Sequence, residues 1–221
     1  MGGEDSLLSS GGRYERDDAE FDRAIGFVDA TYALALTLLV TTLDIDNPPE
    51  AWASVGSLFD AIGAQFIAFG IAFAVISGYW LQHHRMIAAF GALDYPTIGV
   101  NLLLVAAIVL LPFSTQSVGD PSVDDLTLPT VVMALNVAAA SVLHATVFAL
   151  AVRRGLLSRP RPRAEVRGYL VLALVPAAVF IASIPIAYAT SAVTARVFWL
   201  ALLVVNPIMG RIVARAQPAR G

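Results

Sequence analysis

The chain contains no cysteine and no lysine. Without cysteine there are no disulfides and no thiol chemistry, and the redox compartment cannot be read. All 14 basic residues are arginine, a bias that fits a high-GC genome and names no function. Charge is scarce: 14% of residues, against about 25% in a soluble domain. That shortfall, a mean hydropathy of +0.73 and 57% hydrophobic residues exclude an ordinary soluble domain and indicate an integral membrane protein. Met1 to Asp22 has no basic stretch followed by an apolar core, so it is not a signal peptide. Its Gly, Ser and Asp content predicts a short disordered cytoplasmic tail over residues 1–22. Nothing resembles a serine triad, a zinc-protease helix, a phosphate loop or a dinucleotide fingerprint, so no enzyme is expected and no cofactor.

What is present is a series of long apolar runs. About 20 apolar residues cross a bilayer as a helix, and six segments qualify. They run over about 24–43, 58–81, 95–114, 128–152, 168–189 and 193–213. The predicted fold is therefore all-α with six transmembrane helices, a membrane domain over 23–215 and a short cytoplasmic tail over 216–221. Arginines gather after the second, fourth and sixth segments (Arg85; Arg153 to Arg167; Arg211 to Arg220). Acids gather after the first and third. Positive charge stays inside, so both termini are expected in the cytoplasm of a cell-membrane protein. Arg196 alone runs against this trend. The two halves show no internal repeat, which gives no support to an inverted-repeat transporter.

Few polar residues interrupt the spans. Arg23 and Asp29 open the first; six residues apart, they stand about 120° apart on a helix and do not face each other. Asp29, one to two turns inside, needs a partner on another helix. The second span closes in Tyr79-Trp-Leu-Gln-His-His-Arg85. Trp80 lies three and four residues before His83 and His84, and the topology puts this end at the depth of Asp29. A Trp–His–Asp contact between the first two helices follows. The adjacent histidines point about 100° apart and lack Cys or Glu partners at ligand spacing, so no metal site is expected. Asn101, Asn136, His144 and Asn206 are expected to hydrogen-bond between helices.

Along the first span, Leu34, Thr37, Leu38 and Thr41 recur three and four apart and share one face. Small hydroxyls and branched apolar groups in such a stripe suit a close helix contact or the wall of a narrow pore, and spacing alone leaves both open. There is no Thr-Val-Gly-Tyr-Gly run, which excludes a carbonyl filter of that kind. A proton-coupled secondary transporter using Asp29, His83 and His84, and a non-conducting scaffold, remain the competing readings.

Three motifs resemble those of the transmembrane protein 175 family of endosomal and lysosomal potassium channels, and this chain resembles its single-repeat prokaryotic branch. They are Arg23-x-x-x-Phe27-x-Asp29, Trp80-x-x-His83-His84, and Asn101 through Leu111-Pro112-Phe113-Ser114. The resemblance covers the first three spans; the last three agree mainly in number and topology. It implies a homotetramer in the membrane lipid, with the first helix of each subunit lining a central pore. The permeant species it implies are monovalent cations, K+ selectively or with Na+. It makes Leu34 the tight constriction and Thr37 the hydroxyl ring tied to selectivity, with Leu38 and Thr41 continuing the wall outward. Arg23, Phe27, Asp29, Trp80 and His83 or His84 become a network anchoring the first helix. Two positions depart from the family pattern. Val28 stands where the family has serine, which removes one hydrogen bond, a net effect of around 1 kcal/mol. Thr41 is more polar than the leucine-like residue expected, which shortens the apolar gate.

Overall fold

A computed structural model describes residues 12–216 except Asp46. Six helices in it are long and apolar enough to span a membrane: α1 Ala19–Thr42, α2 Val55–Ile87, α3 Tyr95–Gly119, α4 Thr127–Arg153, α5 Arg163–Ala189 and α6 Ala192–Ala214. Two three-residue strands, β1 Arg13–Glu15 and β2 Ala92–Asp94, pair antiparallel. The all-α, six-span expectation holds.

Local chemistry sets the helix ends. Ser54 starts α2 by accepting from the Ser57 amide (3.0 Å), and Asp94 starts α3 by accepting from the Thr97 amide (3.0 Å). Pro96 in the first turn of α3 gives up an N–H that would have had no helical partner. Gly155 takes φ +64° directly after α4, a left-handed position that closes the helix and that only glycine occupies without strain. Pro176 and Pro185 lie inside α5, which runs unbroken through both.

The centre of the bundle is α4, the most enclosed span, which packs on α3 and α5. α1 lies against α2 and α3, while α6 leans mainly on α5 and is the least enclosed. Arg196, the arginine out of pattern, sits at the acidic end and is neutralised there by Asp124. Its Nε also donates to Thr130 Oγ1 (3.0 Å).

The tail expected over 1–22 is partly overturned. Residues 1–11 lie outside the described residues, as do 217–221 of the C-terminal tail. From Arg13 onward the chain is structured: β1 pairs with β2 in the α2–α3 connection, Tyr14 donates to Tyr95 (2.8 Å between hydroxyls), and Arg16 reaches the Phe90 carbonyl (2.8 Å). α1 then begins at Ala19 with Glu20 and Asp22 in its first turn, where the helix N-terminus favours negative charge. These acids start a helix; they do not solvate a coil.

The same end gains a second clasp. Asp94, buried, pairs with Arg154 just after α4, and Gly91 donates to the Leu156 carbonyl (2.8 Å). Burial pushes the Asp94 carboxyl up, but hydrogen bonds from Thr97 and the Arg154 guanidinium outweigh it and hold the group below the usual carboxylate range.

Candidate functional site

The two faces of α1 differ completely. Phe21, Val28, Tyr32, Ala35 and Leu39 are buried against the rest of the chain, Ala35 and Leu39 with no exposed surface. On the opposite face Leu34 is 54% exposed and Leu38 37%, with Thr37 and Thr41 exposed between them. All four predicted stripe residues therefore lie on one face that the chain's own other spans leave bare.

The threonines are set in a particular way. Thr37 Oγ1 donates to the Leu34 carbonyl (2.8 Å) and Thr41 Oγ1 to the Leu38 carbonyl (2.7 Å). Each hydroxyl proton is thus committed to the helix, and the lone pairs remain for whatever approaches the stripe. Past Leu38 the backbone tightens into a 3-10 turn over Leu39–Thr42.

Behind the stripe, Asp29 of α1 meets the end of α2. Trp80 Nε1 donates to Asp29 Oδ1 (3.0 Å), and the His84 ring lies beside the indole, centroids 5.6 Å apart. His83, adjacent in sequence, turns away by the helical angle and is buried; its Nε2–H donates to Asn101 Oδ1 on α3 (3.0 Å). The two histidines therefore serve different partners and cannot share a ligand. Among the described residues no three His, Cys, Asp or Glu side chains come together as a metal set. Arg23 and Phe27 do not join the Asp29–Trp80 contact: both are exposed, Phe27 by 58%, on the same side as the stripe. Within a single chain the network is Asp29, Trp80 and His84, with His83 part of a separate interior cluster. Val28 faces the buried side, and among the described residues the Trp80 indole is the side-chain hydrogen-bond partner of Asp29.

That interior cluster was not foreseen as a unit. Tyr32 of α1 lies beside His83 (5.7 Å between ring centroids), His83 beside His144 of α4 (6.4 Å), and His144 against Tyr169 of α5 (6.0 Å), with a 2.7 Å hydrogen bond between the last two. Tyr79 bonds Ser141 alongside (2.6 Å). A row of aromatic rings thus connects the rear of α1 to α5. The expected interhelical bonds form at Asn101, at His144 and at Asn136, which donates to Ser114 (3.0 Å); Asn206 makes none among the described residues.

Residues 23–112, from α1 to Pro112 of α3, match the family model described as the endosomal/lysosomal potassium channel TMEM175. Over that stretch the chain is similar to the TMEM175 family. The stretch that matches contains every residue of the stripe and of the anchor. A potassium channel of Streptomyces collinus is 31% identical over 104 residues, 46% of this chain and 48% of that one. The endosomal/lysosomal proton channel TMEM175 of Bos taurus is 30% identical over 102 residues, 43% of this chain and 21% of the bovine protein. The chain spans about half the length of the bacterial relative it matches and less of the bovine one. The fold extends the likeness to the remaining helices. The crystal structure of a lysosomal potassium-selective channel TMEM175 homolog from Chamaesiphon minutus superposes with a TM-score of 0.68 at 20% identity. That superposition covers 91% of this chain and 100% of the other. The chain therefore shares the six-span fold of that structure over 91% of its length, while the family-model match is confined to α1 to α3.

Proposed function

We propose that the protein is a potassium-permeable cation channel, a homotetramer in which α1 of each subunit lines a shared central pore. The observation that carries this reading is the bare stripe Leu34, Thr37, Leu38 and Thr41 on a helix whose other face is fully packed. Four such faces around an axis cover one another and bring four leucines together. The Leu34 ring, with Leu38 one turn on, closes the path by excluding water. The Thr37 ring, and Thr41 beyond it, offers hydroxyl oxygens whose protons already bond the helix. Oxygens held in that way accept, and can replace part of an ion's hydration shell. No formal charge lies on the stripe, so preference for K+ over Na+ comes from neutral dipoles and is modest. Acids at the outer end, Asp44 and Glu50 among them, raise the local cation concentration in a salt-dependent way.

The Asp29–Trp80 bond ties α1 to α2 and resists its rotation, which makes it the brake on opening. The arginine-rich end lies in the cytoplasm of the cell membrane by the positive-inside rule, with both termini there. The protein acts as a channel and not as an enzyme, and it needs no cofactor.

The experiment is reconstitution into liposomes, with fluxes recorded first in K+, then in Na+, then under a proton gradient. Passive K+ flux that does not saturate, from a particle of four-subunit mass, supports the channel. A fixed cation-to-proton ratio with saturation would replace it by coupled transport, and a monomer would remove the shared pore.

A further inference from the structure

Two cavities, about 480 and 490 Å³, open on the side of the bundle away from the α1 stripe. The first lies at the arginine-rich end between α2, α5 and α6, and its wall includes Arg85, Arg161, Tyr169 and Gly210. The second continues through mid-membrane as far as Arg196, which Asp124 neutralises, and is lined on the way by Gly70, Ala74, Gly78, Phe180, Trp199 and Leu203. Gln82 and Asn206 belong to both walls, so the two form one groove. Each volume is within the range of about 300–1,000 Å³ that small-molecule sites occupy.

The two ends differ in chemistry. In the deep part Gly70, Ala74 and Gly78 recur four apart on α2. In a membrane such a row ordinarily receives a neighbouring helix at close range. Here a Cβ added to Gly70 or to Gly78 would meet nothing within 4 Å. α6 leans on α5 and leaves this floor open. At the mouth, Arg85 makes no hydrogen bond or ion pair among the described residues, and Arg161 pairs with Glu165. Two guanidiniums against one carboxylate leave a positive charge at the level of the lipid headgroups. An apolar slot that opens under unbalanced arginine is complementary to one molecule: an acidic phospholipid, phosphate outward and one acyl chain in the slot. A second copy of the chain would have to bury Arg85 without a counter-charge, which is costly in this setting.

We infer that the α2–α5–α6 groove binds an acidic phospholipid of the arginine-rich leaflet, its phosphate on Arg85 and Arg161 and an acyl chain along Gly70, Ala74 and Gly78. The site adjoins the channel machinery without being part of it. Gln82 lies two residues from Trp80, whose indole holds Asp29 of α1. A bound lipid therefore braces the segment of α2 from which α1 is held.

The test exploits the lack of cysteine, which makes any introduced thiol unique. Full-length protein carrying Gln82→Cys is placed in nanodiscs of phosphatidylcholine alone or with phosphatidylglycerol, and its labelling rate with N-ethylmaleimide is measured. Phosphatidylglycerol is expected to slow labelling several-fold, and Arg85→Gln with Arg161→Gln in the same background to restore the faster rate. Ala88→Cys, exposed at the same end outside the groove, labels at one rate in both. Inorganic phosphate added to phosphatidylcholine discs gives no slowing. Native mass spectrometry of the unmodified protein retains phosphatidylglycerol in preference to phosphatidylcholine. Equal rates in the two lipids, slowing that survives the double substitution, protection by phosphate alone, a thiol unreactive in both membranes because protein covers it, or no lipid preference in the mass spectrum would each overturn the assignment.

Discussion

Trp80 on α2 and Asp29 on α1 are joined by one hydrogen bond, indole N–H to carboxylate, at 3.0 Å. It is the polar side-chain bond that fastens α1 to α2, because Arg23 and Phe27 face away. Hydrogen bonds to charged groups contribute about 1.5–3 kcal/mol. Trp80→Phe is expected to lower stability by about that amount and to raise the open fraction of the channel. Asp29→Asn keeps an acceptor oxygen and is expected to retain more of the stability than Asp29→Ala. Thermal unfolding of the three variants in one detergent checks the order.

Leu34→Ala removes a branched apolar side chain from the exposed stripe of α1 and touches no core contact within the chain. Flux of K+ through reconstituted protein is expected to rise several-fold while each subunit keeps its fold, because Leu34 is exposed within the single chain. Conductance equal to the parent removes Leu34 as the constriction.

Thr37→Val retains shape and deletes the acceptor oxygen. The bond it loses, to the Leu34 carbonyl, is local, so assembly should survive. The ratio of K+ to Na+ permeability, from reversal potentials under bi-ionic conditions, is expected to fall toward unity. Thr41→Val, one turn outward on the 3-10 segment, is expected to shift it less.

Asp94 predicts an acid limit. Thr97 and Arg154 hold its native carboxyl below the usual range against the opposing effect of burial. A carboxyl lowered by folding contributes stability that is complete above its unfolded value of about 3.9 and is lost as the pH falls through the lower native value. The melting temperature should therefore be flat with respect to this group above about pH 5 and decline below about pH 4. Asp94→Asn lowers the plateau and weakens the decline, which a pH series of melting curves reports.

Much of this architecture could be read from residue order, and what could not has a physical reason. Six long apolar runs predict six spans, because crossing a bilayer imposes a length that composition reveals. Their ends were placed short: α2 runs through Gln82, His83, His84 and Arg85 to Ile87, since polarity ends an apolar run without ending a helix. β1 and β2 left no trace, being three residues each and paired across some eighty positions. Asp29 and Trp80 could be matched because topology sets both at one depth. That His83 would turn to Asn101 while His84 stays by Trp80 depends on the rotation of α2 about its axis, which only packing fixes. The Asp94–Arg154 pair joins two loops that no periodicity connects. The groove beside α6 is a matter of where a helix stands off from its neighbours, and a single sequence has no symbol for empty space.

The β1–β2 pairing gives α1 a fixed foot. Three residues before the helix, Arg16 is fastened to the Phe90 carbonyl, and ten residues into it Asp29 is fastened to Trp80. At its other extremity α1 ends in a 3-10 turn leading to a proline-rich loop. The acidic end of α1 is held too, since the Asp44 amide donates to Gln65 of α2 (2.7 Å) and Leu39 is fully buried. If four such helices line a pore as proposed, widening it calls for rotation or bowing of α1 between two fixed ends, not for a swing from one.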